Sequence, residues 1–156
     1  MYLLTNATLA TMTQARGGSG YGLIARGAVV IDGSQIAWVG PGSDLPARYA
    51  TLTAHDCDGK LITPGLIDCH THIIFGGHRA AEFEARLNGA SYEDIARAGG
   101  GILSTVTASR AASEDDLLAA ALPRVDAMIA TGTTTIEVKS GYGLTIKDEL
   151  KMLRAA

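Results

Sequence analysis

Residues 63–79 read T-P-G-L-I-D-C-H-T-H-I-I-F-G-G-H-R. Pro64 and Gly65 signal a turn, and the apolar run behind them ends at Gly76-Gly77, which predicts a buried strand over Leu66–Phe75. Side chains two apart on a strand share a face, so His70 and His72 are expected to point the same way, with Cα atoms roughly 6–7 Å apart. Two imidazoles so placed can meet on one metal ion, because zinc and iron accept neutral imidazole nitrogen at about 2.0–2.1 Å. A bare H-x-H is a weak signal on its own, and an ordinary strand carrying two histidines is the commoner explanation. On a regular strand Cys69 faces away from the two histidines, which predicts a packing role for it.

Working outward, residues 1–62 form a β-rich stretch of short strands and turns, read as a small β-sandwich-like domain. Its clearest element is a hairpin, Ala28–Ile31 and Gln35–Val39 around Asp32-Gly33, with Trp38 expected in the small core. Gly17–Gly22 holds G-x-G fragments without the lysine and Ser/Thr of a phosphate loop, and reads as a flexible loop. Asp44–Tyr49 predicts one helical turn, and Asp58-Gly59 a turn into the central strand. His55 reads as structural.

From residue 63 to residue 156 strands alternate with helices, the pattern of a parallel sheet. Ser91–Asp94 is a capping box opening a helix that stops near Gly99. Gly99-Gly100-Gly101 could cradle an anion, although a helix stop that lets backbones approach is the simpler reading. Ser113–Asp116 is a second cap, followed by Leu118, Leu122, Val125 and Ile129 at helical spacing, with a bend or break expected at Pro123. Thr133–Lys139 alternates as a strand with Thr135, Glu137 and Lys139 on one face. Ser140–Gly143 is the loop at its carboxyl end, and a helix starts at Ile146.

Composition narrows the partners. The 156 residues are 47% hydrophobic and 19% charged, the balance of a globular protein, and the net charge of −3 offers no footprint for nucleic acid or an anionic membrane. No apolar run reaches the ~20 residues of a membrane span, and M-Y-L-L-T-N lacks a basic signal start, so a cytoplasmic protein is expected. Two cysteines, Cys57 and Cys69, form no disulfide framework.

P-G-[apolar]-[apolar]-D-x-H-x-H closing a first strand resembles the opening motif of the amidohydrolase superfamily. Three longer blocks are similar to the imidazolonepropionase family within it: H-T-H-I-I-F-G-G-H-R-A-A-E-F (70–83), A-R-A-G-G-G-I-L-S-T-V (96–106) and G-T-T-T-I-E-V-K-S-G-Y-G-L (132–144). L-L-T-N-A-T-L-A-T-M (3–12) agrees more weakly. The resemblance implies a metal-dependent (β/α)8 barrel that opens the cyclic amide of 4-imidazolone-5-propanoate to N-formimidoyl-L-glutamate. It implies one divalent ion, zinc or iron, held by His70 and His72. Arg79 would bind the propanoate carboxylate and Tyr142 would contact the substrate. The full-length enzyme would be a homodimer.

A barrel typically needs about 250 residues, whereas about 90 follow Leu66. The expectation is therefore an incomplete TIM barrel, the amino-terminal part of a longer enzyme. Its remaining ligands and catalytic residues (two more histidines, a glutamate and an aspartate) would lie beyond Ala156, leaving this fragment inactive alone. His78 reads as a rim residue, and Lys139 as the partner of Glu137 on the same strand face. Two other readings share parts of the pattern: a dihydroorotase-like or guanine deaminase-like hydrolase, and a non-catalytic chain acting as an assembly module.

Overall fold

The computed structural model describes residues 1–13 and 20–156. Half of the expected Gly17–Gly22 loop, residues 17–19, lies outside the described residues. Contacts divide the chain into two units, Met1–Pro64 and Gly65–Ala156.

The first unit is a single mixed sheet. Its strands are β1 (Tyr2–Ala10), β2 (Leu23–Asp32), β3 (Gln35–Pro41), β4 (Ala54–Asp56) and β5 (Leu61–Ile62). The order is β3-β2-β1-β4, with β5 also pairing with β1. The predicted hairpin is present: β2 and β3 are antiparallel and Asp32 pairs with Gln35 across the turn. Along β1 an extra residue falls between Leu4 and Ala7, which pair with Val29 and Gly27. Asn6 absorbs it at φ +53. A one-residue slip reverses the facing of everything beyond it. Leu3 therefore packs with Ala28, Val30 and Tyr49 on one side, while Ala7 and Leu9 pack with Ile24, Val29 and Cys57 on the other. Trp38 joins the first cluster, as expected. The segment read as one helical turn is two 3-10 turns, Gly42–Asp44 and Ala47–Tyr49, because Pro46 lies between them. All five strands belong to one sheet, and no second layer facing it occurs among the described residues of this unit.

The second unit is α/β. It contains β6 (Leu66–Thr71), α1 (Ala80–Leu87), α2 (Tyr92–Arg97), α3 (Ile102–Ala111), α4 (Glu114–Ala130), β7 (Thr133–Val138) and α5 (Ile146–Ala155). β6 and β7 are parallel neighbours. Both predicted capping boxes form: Ser91 with Asp94, and Ser113 with Asp116, each hydroxyl accepting from the backbone N–H three residues on. Thr145 caps α5 in the same way through the Asp148 N–H. Helices α1 and α3 had no sequence signal of this kind, since neither has a side-chain cap.

Four expectations need correction. The strand over Leu66–Phe75 ends at Thr71, because pairing stops where Lys139 N–H donates to Thr71 C=O and β7 itself ends at Val138. The helix α4 runs unbroken through Pro123. Its buried stripe is also displaced by one residue: Leu117 and Ala121, with Val125 and Met128, pack on Ile73, Ile74 and Met152. Leu118, Leu122 and Ile129 are exposed instead. Both stripes have helical spacing, so periodicity cannot choose between them; the neighbours do. Cys69 is exposed rather than packed, whereas Cys57 is buried. No helix among the described residues is long and apolar enough to cross a membrane.

Candidate active site at the carboxyl ends of the parallel strands

The second unit gathers the motif residues where β6 and β7 end. Between Asp68 and Thr71 the β6 side of the ladder spends three residues against two on β7, since Asp68 pairs with Ile136 and Thr71 with Val138. The His70 N–H turns back onto Asp68 Oδ1 at 3.0 Å, which satisfies a donor that the irregular ladder leaves free. His70 is the fifth residue of β6 and His72 the first beyond it. Their ring centroids lie 5.2 Å apart, with planes inclined at 70°. Despite the shortened strand, the two imidazoles stay neighbours.

Beyond His72 the chain continues as a buried segment held by α4. Arg124 donates from Nη1 to the carbonyls of Ile73 (2.9 Å) and Phe75 (3.2 Å), and its guanidinium lies 3.5 Å from the centre of the Phe75 ring. Burial pushes the Arg124 pKa below its ordinary value. Ile73 and Ile74, with no strand partner, are thus anchored by a cation from the adjacent helix and by the apolar core.

Tyr142 comes to the same place from β7. Its ring centroid is 5.5 Å from that of His72 and 6.2 Å from that of Phe75. The approach depends on Gly141, at φ +152: a Cβ there would sit 3.1 Å from His72 Cε1. Two helices fix this loop. Arg110 Nε donates to Gly143 C=O at 2.6 Å, and Leu144 N–H donates to Glu149 Oε1 at 2.7 Å. Glu137 and Lys139 form the ion pair expected from their shared face. Lys139, through its hydrogen bond and its charge, is the main cause of the lowered Glu137 pKa.

Arg79 lies apart from the histidines in its contacts. It stands immediately before α1, and its guanidinium binds Glu82, with Nε 2.7 Å and Nη2 2.6 Å from Oε2. Glu82 Oε1 in turn accepts from Gly101 N–H and from the Ser104 hydroxyl, both at 3.0 Å. The hydrogen bond from Arg79 is the largest cause holding the Glu82 carboxyl down at about 2, and the same bond raises the Arg79 pKa. Since the folded pKa is depressed, any contribution of this carboxylate to stability is complete above its ordinary value of 4.5 and is lost as pH falls toward about 2. The Glu82 carboxyl carbon followed by NMR should therefore titrate near 2; a midpoint above 4 would mean that the network is absent in solution. His78 and Arg79 both line the cleft beside α1 and α2.

Glu82, Ser104, Arg124 and Glu149 are the residues that sequence reading missed. Glu82 alone had a local signal, three residues after Arg79 in H-R-A-A-E. The glycine run Gly99–Gly101, read as a helix stop that lets backbones approach, also seats an anion, the protein's own Glu82 carboxylate.

These residues suit a metal in donor chemistry. The Nδ1 atom of His72 is buried without a hydrogen-bond partner, and a second imidazole faces that ring. Unshared imidazole nitrogens are good ligands for zinc or iron(II). Among the described residues no cluster of three or more His, Cys, Asp or Glu side chains could hold an ion, so the pair falls short of the three protein ligands a catalytic metal site normally has.

Solved structures share the fold. The chain resembles a prolidase complexed with N-methylphosphonate-L-proline (TM-score 0.58, 21% identity, 89% of this chain and 26% of that one) and an amidohydrolase (TM-score 0.57, 21% identity, 90% and 25%). It also resembles Helicobacter pylori aminofutalosine deaminase in complex with methylthio-coformycin (TM-score 0.53, 17% identity, 100% and 33%). The chain thus shares its fold with parts of these proteins. More particularly, the chain resembles the amino-terminal portion of imidazolonepropionases. It is 65% identical over 156 residues to that of Paracoccus denitrificans, 64% over 154 residues to that of Roseobacter denitrificans, and 60% over 152 residues to that of Sphingopyxis alaskensis. These alignments cover 100%, 99% and 97% of this chain and 38%, 38% and 36% of the relatives. The chain therefore spans well under half the length of the curated relatives it matches. A family model described as "Imidazolonepropionase-like composite domain, bacteria" matches residues 27–51.

Proposed function

We propose that this chain is the amino-terminal part of a metal-dependent hydrolase that opens the ring of 4-imidazolone-5-propanoate. The observation that carries this reading is the identity of 65% across the whole chain, including the stretches that bring His70, His72 and Tyr142 together. In the reaction water adds across the ring amide. The C–N bond breaks, the carbonyl carbon gains the hydroxyl, the ring nitrogen gains the proton, and N-formimidoyl-L-glutamate results.

His70 and His72 hold one divalent ion, zinc or iron, in this proposal, with further ligands from later in the complete protein. Such an ion supplies Lewis acidity, which makes water acidic enough to act as a nucleophile near neutral pH. Arg79 binds the propanoate carboxylate. Its Nε/Nη2 edge is taken by Glu82, so the Nη1/Nη2 end receives the substrate, a fork that still offers two parallel charge-assisted hydrogen bonds. The Tyr142 hydroxyl orients the substrate beside His72.

The second unit is, in this reading, the opening of a (β/α)8 barrel. Leu66 and Ile67 on β6, and Leu118, Leu122 and Ile129 on α4, are exposed apolar side chains that further strands and helices would cover. The first unit is one face of a small β-sandwich, with an apolar hollow of about 230 Å³ lined by residues including Leu9, Val29, Ile36, Val39 and Ile62 available for a second sheet. The complete enzyme acts in the cytoplasm as a homodimer on a small molecule.

The test uses the complete, metal-loaded protein with 4-imidazolone-5-propanoate, dihydroorotate and guanine as separate substrates. Turnover of the first alone, with N-formimidoyl-L-glutamate as product, is expected. Comparable kcat/KM for dihydroorotate or guanine would sink the assignment.

A further inference from the structure

Arg79 is long, exposed on one side and uncapped at the start of a helix, a poor arrangement for accurate recognition unless something fixes its guanidinium. We propose that Glu82 is the positioning residue that does so, locking Arg79 against the amino-terminal end of α3 with the Nη1/Nη2 fork turned outward for a substrate carboxylate. This rests on the reading of Arg79 as the carboxylate-binding group.

Four contacts converge on one carboxylate. Oε2 takes Nε and Nη2 of Arg79, and Oε1 takes Gly101 N–H and Ser104 Oγ–H. Glu82 therefore ties α1 to α3, elements with no sequence proximity, and its side chain is only 16% exposed. Ser104 is itself held by donating to Gly101 C=O at 2.9 Å. The glycine run makes this seat: a Cβ at Gly100 would come within 3.1 Å of Glu82 Cδ and 2.7 Å of Ile95 Cγ2, and Gly101 presents its N–H from φ +78. The adjoining cleft, about 510 Å³ and lined by residues including Arg79, Glu82 and Gly100, is of the size that takes a small ligand. A preorganised guanidinium loses less rotamer freedom on binding than a free one, so the gain falls on substrate affinity. The carboxylate of Glu82 would otherwise repel an incoming anion; its charge is absorbed by Arg79, the helix N–H and the serine hydroxyl.

The complete, metal-loaded enzyme and its Glu82→Gln variant, which keeps the volume but turns an amide N–H₂ toward Arg79, are assayed with 4-imidazolone-5-propanoate and with its propanamide analogue. The expected result is a KM about tenfold higher for the acid, kcat within about threefold, and an unchanged KM for the amide. Ser104→Ala should move the acid KM the same way by about threefold, and it serves as the probe if the first variant does not fold. Equal KM increases for acid and amide, or a loss confined to kcat, would make Glu82 merely structural and overturn the proposal. Arg79→Ala separates the two ideas. If it raises the acid KM while Glu82→Gln and Ser104→Ala leave it unchanged, only the positioning role fails; if Arg79→Ala itself leaves it unchanged, the carboxylate-binding reading fails and takes this one with it.

Discussion

Replacing both histidines proposed to hold the metal (His70→Asn with His72→Asn) in the complete protein is expected to remove bound zinc or iron and to cut hydrolysis by roughly a thousandfold or more, with little change in thermal stability. The two effects part company for a structural reason. His70 is exposed, and His72 keeps one ring nitrogen buried without a partner, so little folding energy rests on either imidazole. Asparagine retains polarity at about the same width and lacks the imidazole nitrogen that suits zinc and iron. Metal content by elemental analysis and kcat/KM on the same preparation check this together. Full metal occupancy in the double variant would show that the pair is not the ligand set.

Arg124→Ala should have the largest effect on stability among polar substitutions, about 3 kcal/mol, measured by urea unfolding of the complete protein. The estimate combines two charge-assisted hydrogen bonds, to the Ile73 and Phe75 carbonyls, with the stacking of the guanidinium on Phe75. Alanine leaves both acceptors without a partner in a segment whose side chains, Ile73 and Ile74, are buried. Arg124→Lys should recover less than half, because an ammonium can serve a carbonyl but does not lie flat on the ring. Because His72 directly precedes this segment, the alanine variant should also bind metal more weakly. An unfolding midpoint unchanged by Arg124→Ala would show that the segment is held by the apolar core alone.

The motif residues were legible because their information is local. H-x-H keeps two rings together through a two-residue spacing that survives although His72 falls just beyond β6, and S-G-Y-G places Tyr142 through a glycine that must follow a strand end. Caps at Ser91 and Ser113 were legible for the same reason, as each bonds three residues ahead. Helices α1 and α3 were not, since they lack such caps and lean on long-range partners: Glu82 of α1 reaches Gly101 and Ser104.

What the sequence determined by itself is therefore the nearness of His70 to His72, the place of Tyr142 at a strand end and the α/β character of the second unit, because spacing along a strand or a helical turn needs no distant neighbour. The tertiary structure alone decided where β6 stops, which stripe of α4 is buried and which anion occupies the glycine run. Each depends on a partner tens of residues away: Thr71 meets Lys139, Leu117 meets the cluster of Ile73 and Met152, and Gly101 meets Glu82. A hydrogen bond or a buried contact forms with whatever group the folded chain brings into reach, and that choice is not written in the local sequence.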